Sequence, residues 1–238
     1  MTWSIIARDS SGAFGVAIAS KFFAVGALCP HARSASVPST QALVNPLFAA
    51  PALAALAEGM APALIISQLT ADDEGREHRQ LHLIDASGTA AAYTGAACID
   101  WCGHTIGKGL SVAGNMLAGP QVLAATASAY EANAGMPFAE RLIAALAAGE
   151  AAGGDKRGKQ AAALLIHTTE DYCALDLRVD DHPEPTQELR RLYQKSLERY
   201  QPFSACLPSR QRPAGLTDRA LIEAEIERFQ ARRSGAGA

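Results

Sequence analysis

Aromatic side chains make up only 6% of the 238 residues, too few to build the row of stacking faces on which single-stranded nucleic acid is held. Charge of the two signs nearly cancels, leaving a formal net charge of −3. No basic field is therefore present to draw nucleic acid or an anionic membrane. No stretch reaches the roughly 20 strongly apolar residues that a membrane span needs, because alanine swells the 49% hydrophobic content. The five cysteines (Cys29, Cys98, Cys102, Cys173, Cys206) are few, odd in number and scattered, which argues against a disulfide frame and for reduced thiols. The opening residues lack a basic region followed by an apolar block, so no secretory leader is expected and the chain reads as cytoplasmic. What is present, 49% hydrophobic and 19% charged, is the balance of an ordinary folded enzyme or binding domain.

Turn residues divide the chain into recognisable pieces. Residues 3–8 and 13–20 are strands of a hairpin around Asp9-Ser10-Ser11-Gly12, the second rich in small residues as suits a doubly buried strand. A further strand is expected within residues 32–40. Asn45 caps and Pro46 starts a helix that runs to about Glu58 and stops at Gly59; another covers about 62–70. Residues 79–85 and 89–94 form a second hairpin about Ala86-Ser87-Gly88, and residues 110–115 a short strand after an irregular stretch. Helices follow over 120–133 and 137–148, the latter ending in Gly153-Gly154; then come strands over 161–167 and 172–179 and charged helices over 185–200 and 217–233. Paired neighbouring strands imply antiparallel sheets, and clustered helices imply separate helical layers. The expected architecture is a four-layer αββα sandwich over residues 1–200, followed by a linker and an amphipathic helix over 201–238. A Rossmann fold would need strictly alternating strands and helices.

Several residues are of types that carry chemistry. Thr2 lies behind Met1, whose removal a small second residue tolerates; the freed residue would hold both a hydroxyl and an α-amine of pKa roughly 7.7–8.0, nucleophile and base together. Many ordinary chains also begin Met-Thr, and a retained Met1 would block the amine. Lys21 closes the second strand, where a cation would hold that amine neutral; otherwise it is a solvated strand-end lysine. Asn115, with Gly114 before it and a helix start after it, is placed to donate to an oxyanion, or to serve as a plain turn residue. Asp155 and Arg157, between glycines, form a candidate clamp for a polar substrate group. Cys98, Cys102 and His104 lack the second ligand pair of a structural zinc site, so no metal and no cofactor is expected; Trp101 and His104 instead become candidate pocket residues. Asp176, Arg178 and Asp180 share a strand face as an internal ion ladder.

Taken in order, Thr-Trp-Ser-Ile-Ile-Ala-Arg-Asp (2–9), Ala-Ser-Lys-Phe-Phe-Ala-Val-Gly-Ala (19–27), Gly-Asn-Met-Leu-Ala-Gly-Pro (114–120), Ala-Gly-Gly-Asp-Lys-Arg-Gly-Lys-Gln (152–160) and Asp-Leu-Arg-Val-Asp-Asp-His (176–182) resemble a bacterial family catalogued as domain of unknown function 1028, over about residues 1–192. The resemblance implies placement in the N-terminal-nucleophile hydrolase superfamily, an αββα fold and hydrolysis of an amide or related C–N bond. Thr2 matches the family's second residue, and Lys21, Asn115, Asp155 and Arg157 fall in shared motifs. Two departures stand out: residues 196–238 have no recognised counterpart, and Ala161 stands where Ser is expected.

The expectation is thus an N-terminal-threonine hydrolase of a small polar substrate, acting through an acyl-enzyme, with homo-oligomerisation and with neither nucleic acid nor membrane as partner. Two other readings compete: a non-catalytic ligand-binding or sensor module on the same scaffold, and a metal hydrolase built on the Cys98–His104 segment.

Overall fold

Each of the two expected hairpins turns on an aspartate whose side chain does the work of the turn. Asp9 Oδ1 accepts from the amides of Ser11 and Ala13, and Gly12 takes φ 90°. Asp85 Oδ1 accepts in the same way from Ser87 and Thr89, with Gly88 at φ 86°. A side chain with a Cβ is strained there, which explains the glycine in both. These hairpins nucleate the two sheets seen in the computed structural model, which describes residues 2–32 and 37–235.

The larger sheet has the antiparallel order β6-β7-β1-β2-β8-β9, from β1 (Thr2–Arg8), β2 (Phe14–Ser20), β6 (Trp101–Gly107), β7 (Leu110–Leu117), β8 (Ala161–His167) and β9 (Leu175–Val179). The smaller has the order β3-β4-β5, from β3 (Val37–Ala42), β4 (Arg79–Ile84) and β5 (Ala90–Thr94), also antiparallel. Seven α-helices complete the described residues: α1 (Ala49–Ala57), α2 (Pro62–Ala71), α3 (Gln121–Ala132), α4 (Phe138–Ala151), α5 (Pro185–Ser196), α6 (Tyr200–Ser204) and α7 (Arg219–Gly235). The chain divides into two compact units, Met1–Arg190 and Arg191–Ala238. In the second, α7 is tied to the start of α6 by an Arg199–Glu223 ion pair.

Alternation along the strands sets the packing in the first unit. In β4, Leu81 and Leu83 point towards α1 and α2 and join Phe48, Ala52, Leu56, Ile65 and Ile66 in one core cluster. Ile84 points the other way and meets Ile6, Phe14, Val16 and Leu165 of the larger sheet. On the opposite face of that sheet α4 packs so closely that a Cβ on Gly15 would lie 2.5 Å from Leu142 Cδ1. Burial of such side chains contributes about 1.5–3 kcal/mol each and is the main force holding helices to sheets.

Several boundaries differ from the sequence reading: α6 enters the expected linker, β9 starts at Leu175 and α5 ends at Ser196, and two further differences have a local cause. The stretch before residue 110, expected to be irregular, contains β6, which is an edge strand rich in glycine and exposed residues, so neither alternation nor an apolar run announces it. The helix that Asn45 caps begins as a 3₁₀ turn over Pro46–Phe48, Asn45 Oδ1 accepting from Leu47 N, before α1 proper. Part of the strand expected over 32–40, the segment 33–36, lies outside the described residues, as does Met1.

Gly95, just after β5, presses against the backbone of the short turn Arg76–His78: an added Cβ would sit 2.3 Å from the Glu77 carbonyl oxygen. No side-chain rotation relieves a clash with backbone. Gly95→Ala is expected to lower the unfolding free energy by about 2 kcal/mol, read as a shifted urea midpoint with an unchanged slope.

Candidate functional site

Thr2 opens β1 at the centre of the larger sheet, opposite Asn115 of β7, and is buried. Its hydroxyl donates to Ser20 Oγ at the end of β2, at 3.2 Å. Its carbonyl oxygen lies within reach of two amides: Asn115 Nδ2 at 3.4 Å from the same sheet and Gln41 Nε2 at 3.5 Å from the facing sheet. Those two amides converge again on Gln80 Oε1, at 3.1 Å and 2.6 Å. Residue 2 is therefore gripped from both sheets before any ligand arrives.

The grip is one end of a hydrogen-bond network in the space between the sheets. Gln41, Gln80 and Thr94 lie on one cross-strand row. Gln80 Nε2 lies 2.9 Å from each of Thr94 Oγ1, Gly103 O and Gly114 O, three acceptors that share its two N–H groups, and Thr94 Oγ1 meets His104 Nδ1 at 2.9 Å. In the other direction Ser4 Oγ donates to Gln41 Oε1 at 2.8 Å. The Ser4 oxygen then accepts from His82 Nε2 at 2.9 Å, which leaves His82 Nδ1 to accept from Ser111 Oγ at 3.1 Å. Complete burial, with the charge of His104 adding to it, pushes His82 from 6.5 down to about 3, so it sits in the network as a neutral ring. Ser4, Ser20, Gln41, Gln80, His82 and Ser111 were not singled out in the sequence; the available signal was the alternation of polar with apolar residues in strands such as Arg79–Ile84.

The loop after α4 closes another side. Gly154 O accepts from Ala118 N, Asp155 bridges to Leu117, and Gly154, at φ 49°, lies over the Trp3 ring. The Asp155 side chain is fully shielded and accepts from Lys21 N and Arg157 N, both at 2.9 Å, and from the Arg157 guanidinium at 3.2 Å. Lys21 thus joins the site through its backbone, while its ammonium meets Lys159 O at 3.0 Å. Removing Asp155 would leave the Lys21 and Arg157 donors without their shared acceptor. Asp155→Ala is expected to lower stability by about 2 kcal/mol, checked by urea denaturation; a loss well below about 1 kcal/mol would show that water replaces the carboxylate.

Beside Asn115 opens a cleft of about 210 Å³, walled largely by Ala42, Leu43, Ala97, Ile99 and Met116, with His78 and Cys98 as its other polar or thiol groups. Ala42 and Met116 directly follow Gln41 and Asn115, and both adopt left-handed backbones, φ 70° and 53°. Such conformations cost about 1–3 kcal/mol each in a residue with a Cβ and concentrate at binding sites.

The remaining expected residues are placed apart from Thr2. Trp101 pairs with Leu117 at a bulge of β6 and covers Gly103. Among the described residues, His104 reaches the site through Thr94 and Gln80. Cys98 Sγ lies on Arg79 O and Cys102 Sγ on Cys98 O, and among the described residues no three His, Cys, Asp or Glu side chains gather as metal ligands. Arg178 pairs with Asp180, just past the end of β9, at 2.8 Å, and Asp176, raised by burial, shares the strand of Arg178.

Among curated proteins, no relative matches the chain. In a solved crystal structure, that of protein SPO2555 from Silicibacter pomeroyi, described as DUF1028, 32% of aligned residues are identical. The match covers 91% of this chain and 96% of that one, with a TM-score of 0.85. The family model described as "Family of unknown function (DUF1028)" matches residues 2–189, opening on Thr2 and spanning every strand described above. The chain belongs to the DUF1028 family.

Proposed function

We propose that the protein is an N-terminal-threonine hydrolase of the N-terminal-nucleophile type, cleaving an amide or other non-peptide C–N bond of a small molecule. The observation that carries this reading is the setting of Thr2: a buried hydroxyl on Ser20, and a carbonyl held by Asn115 and Gln41. An ordinary second residue frays; this one is pre-positioned. The four-layer reading is supported by α1 and α2 lying against the smaller sheet and α3 and α4 against the larger.

With Met1 removed, the Thr2 oxygen attacks the substrate carbonyl carbon and its proton passes to the α-amine, directly or through a water. The C–N bond then breaks, the leaving nitrogen takes that proton, and water hydrolyses the resulting ester. Asn115 stabilises the oxyanion by exchanging its bond to the Thr2 carbonyl for one to the substrate. Lys21, next in the chain to Ser20, would keep the amine neutral only once its ammonium leaves the Lys159 carbonyl, and Asp155 with Arg157 fixes the loop through the Lys21 amide. Trp101 and His104 serve as outlying pocket residues. The apolar walls at Ala42, Leu43 and Ile99 favour a substrate with a short apolar arm beside its polar reacting group. We place the enzyme in the cytoplasm as a homo-oligomer that needs no cofactor.

The experiment is the intact mass of the purified chain, followed by incubation with small N-acyl and ureido compounds. The expected result is a chain lacking Met1 that gains the mass of one acyl group on Thr2. Retained Met1 in a preparation that still turns over substrate would overturn the proposal.

A further inference from the structure

At the other end of β1, six residue steps and roughly 20 Å from Thr2 at 3.3–3.4 Å per residue, lies a second cavity of about 280 Å³. It is lined by Arg8, Lys108 and Arg141, by Tyr130, and by Asp9 at the hairpin turn. None of the three cations pairs with a carboxylate among the described residues. Asp9 directs Oδ1 into its own turn, towards Ser11 and Ala13. Arg141 is held in place by its neighbour: its guanidinium lies 3.6 Å from the Tyr130 ring centre and its Nε donates to the Tyr130 carbonyl. That geometry uses one donor and leaves the forked end of the side chain unspent.

Among the described residues, two buried polar atoms here have no hydrogen-bond partner, the Tyr130 hydroxyl and Arg8 Nε. Tyr130 is only 2% exposed, and a buried donor left unpaired is costly unless something outside the chain satisfies it. Three cations against the single carboxylate of Asp9 leave the cavity positively charged in a chain of net charge −3 and ask for an anion. A carboxylate offers two oxygens and one charge. A phosphoryl group offers three oxygens and a charge of about −1.5 to −2 near neutral pH, which matches three cations and a hydroxyl.

We propose that the Arg8–Lys108–Tyr130–Arg141 cavity is a binding site for a small phosphorylated molecule, separate from the Thr2 site. Arg141 and Arg8 fork onto the phosphoryl oxygens, Lys108 adds charge from the rim, and the Tyr130 hydroxyl donates from beneath. The cavity exceeds what inorganic phosphate alone needs, so room remains for the esterified group.

The test is calorimetric titration of the full chain with inorganic phosphate and with glycerol phosphate, glycerol serving as the uncharged control. Saturable binding of the anions and none of glycerol is expected, with affinity falling roughly tenfold in Lys108→Gln and in Tyr130→Phe. Lys108 is exposed and the Tyr130 hydroxyl is unbonded, so both variants are expected to fold, and Tyr130→Phe to unfold at the same or higher urea concentration. Thr2→Ala is expected to bind as the unaltered chain does. A tighter ester than free phosphate identifies an organic ligand, and equal affinities identify inorganic phosphate. Absence of saturable anion binding, or equal binding by both variants and the unaltered chain, overturns the proposal.

Discussion

Thr2→Ala is expected to abolish turnover of whatever N-acyl or ureido compound the screen reveals, by about 10³-fold or more, as when a nucleophile is removed elsewhere. Alanine also permits loss of Met1, so the amine is still freed and only the hydroxyl is deleted. The Thr2 oxygen makes one described bond within the protein, to Ser20 Oγ, so the cost to stability is about 1 kcal/mol. A small loss of stability with a large loss of rate separates catalysis from architecture. Thr2→Ser keeps the oxygen and is expected to retain measurable rate. Equal turnover in the alanine variant would reduce residue 2 to a structural role and place the nucleophile elsewhere, whereas no turnover by either chain would favour a binding module on the same scaffold.

The second large effect concerns acid. His82 is neutral in the folded chain down to about pH 3, whereas an exposed histidine takes up its proton near 6.5. Between those values the unfolded chain holds one more proton than the folded one, so stability is present in full above about pH 6.5 and is lost as the pH falls. The expected slope from this one group is about 1.4 kcal/mol per pH unit. His31 and His104, also lowered by burial, add in the same direction, while Asp176, raised by burial, works the other way. Urea denaturation of His82→Gln alongside the unaltered chain isolates the contribution. The variant is expected to start less stable at pH 7, because Ser4 and Ser111 lose a shaped partner, and to fall less steeply towards pH 4. Parallel curves would show that His82 is protonated within the fold.

The elements with strong local signals were legible before the structure was known: both hairpins, the Asn45 cap, and the helices bounded by proline and glycine. Asn115 was read at the end of a strand and Thr2 just ahead of one, whereas β1 takes in Thr2 itself, and nothing in the spacing of residues 2 and 115 announces that they face one another across a ladder. β6 escaped because its glycines and exposed side chains carry no period. The network escaped for a different reason. A single Ser4, Gln41, Gln80 or His82 in an apolar strand reads as an ordinary half-buried polar residue, and becomes a network only when a second sheet is laid over the first. Asp155 and Arg157 were visible as a charged pair between glycines, but that they bond one another and the Lys21 amide follows from how the loop returns to β7.

The gap between the sheets has one more implication, for alignment. Two sheets stacked through Val and Leu alone can slide, since apolar contact has no preferred direction. Here Gln80 meets Gly103 and Gly114, and Ser4 meets Gln41 and His82, at single fixed points. A slip of two residues along β4 would present the same faces yet strand several dry donors, at about 1–3 kcal/mol apiece. The interior amides act as dowels that admit one seating of the smaller sheet on the larger, and the first strand inherits that seating at Thr2 and Ser4.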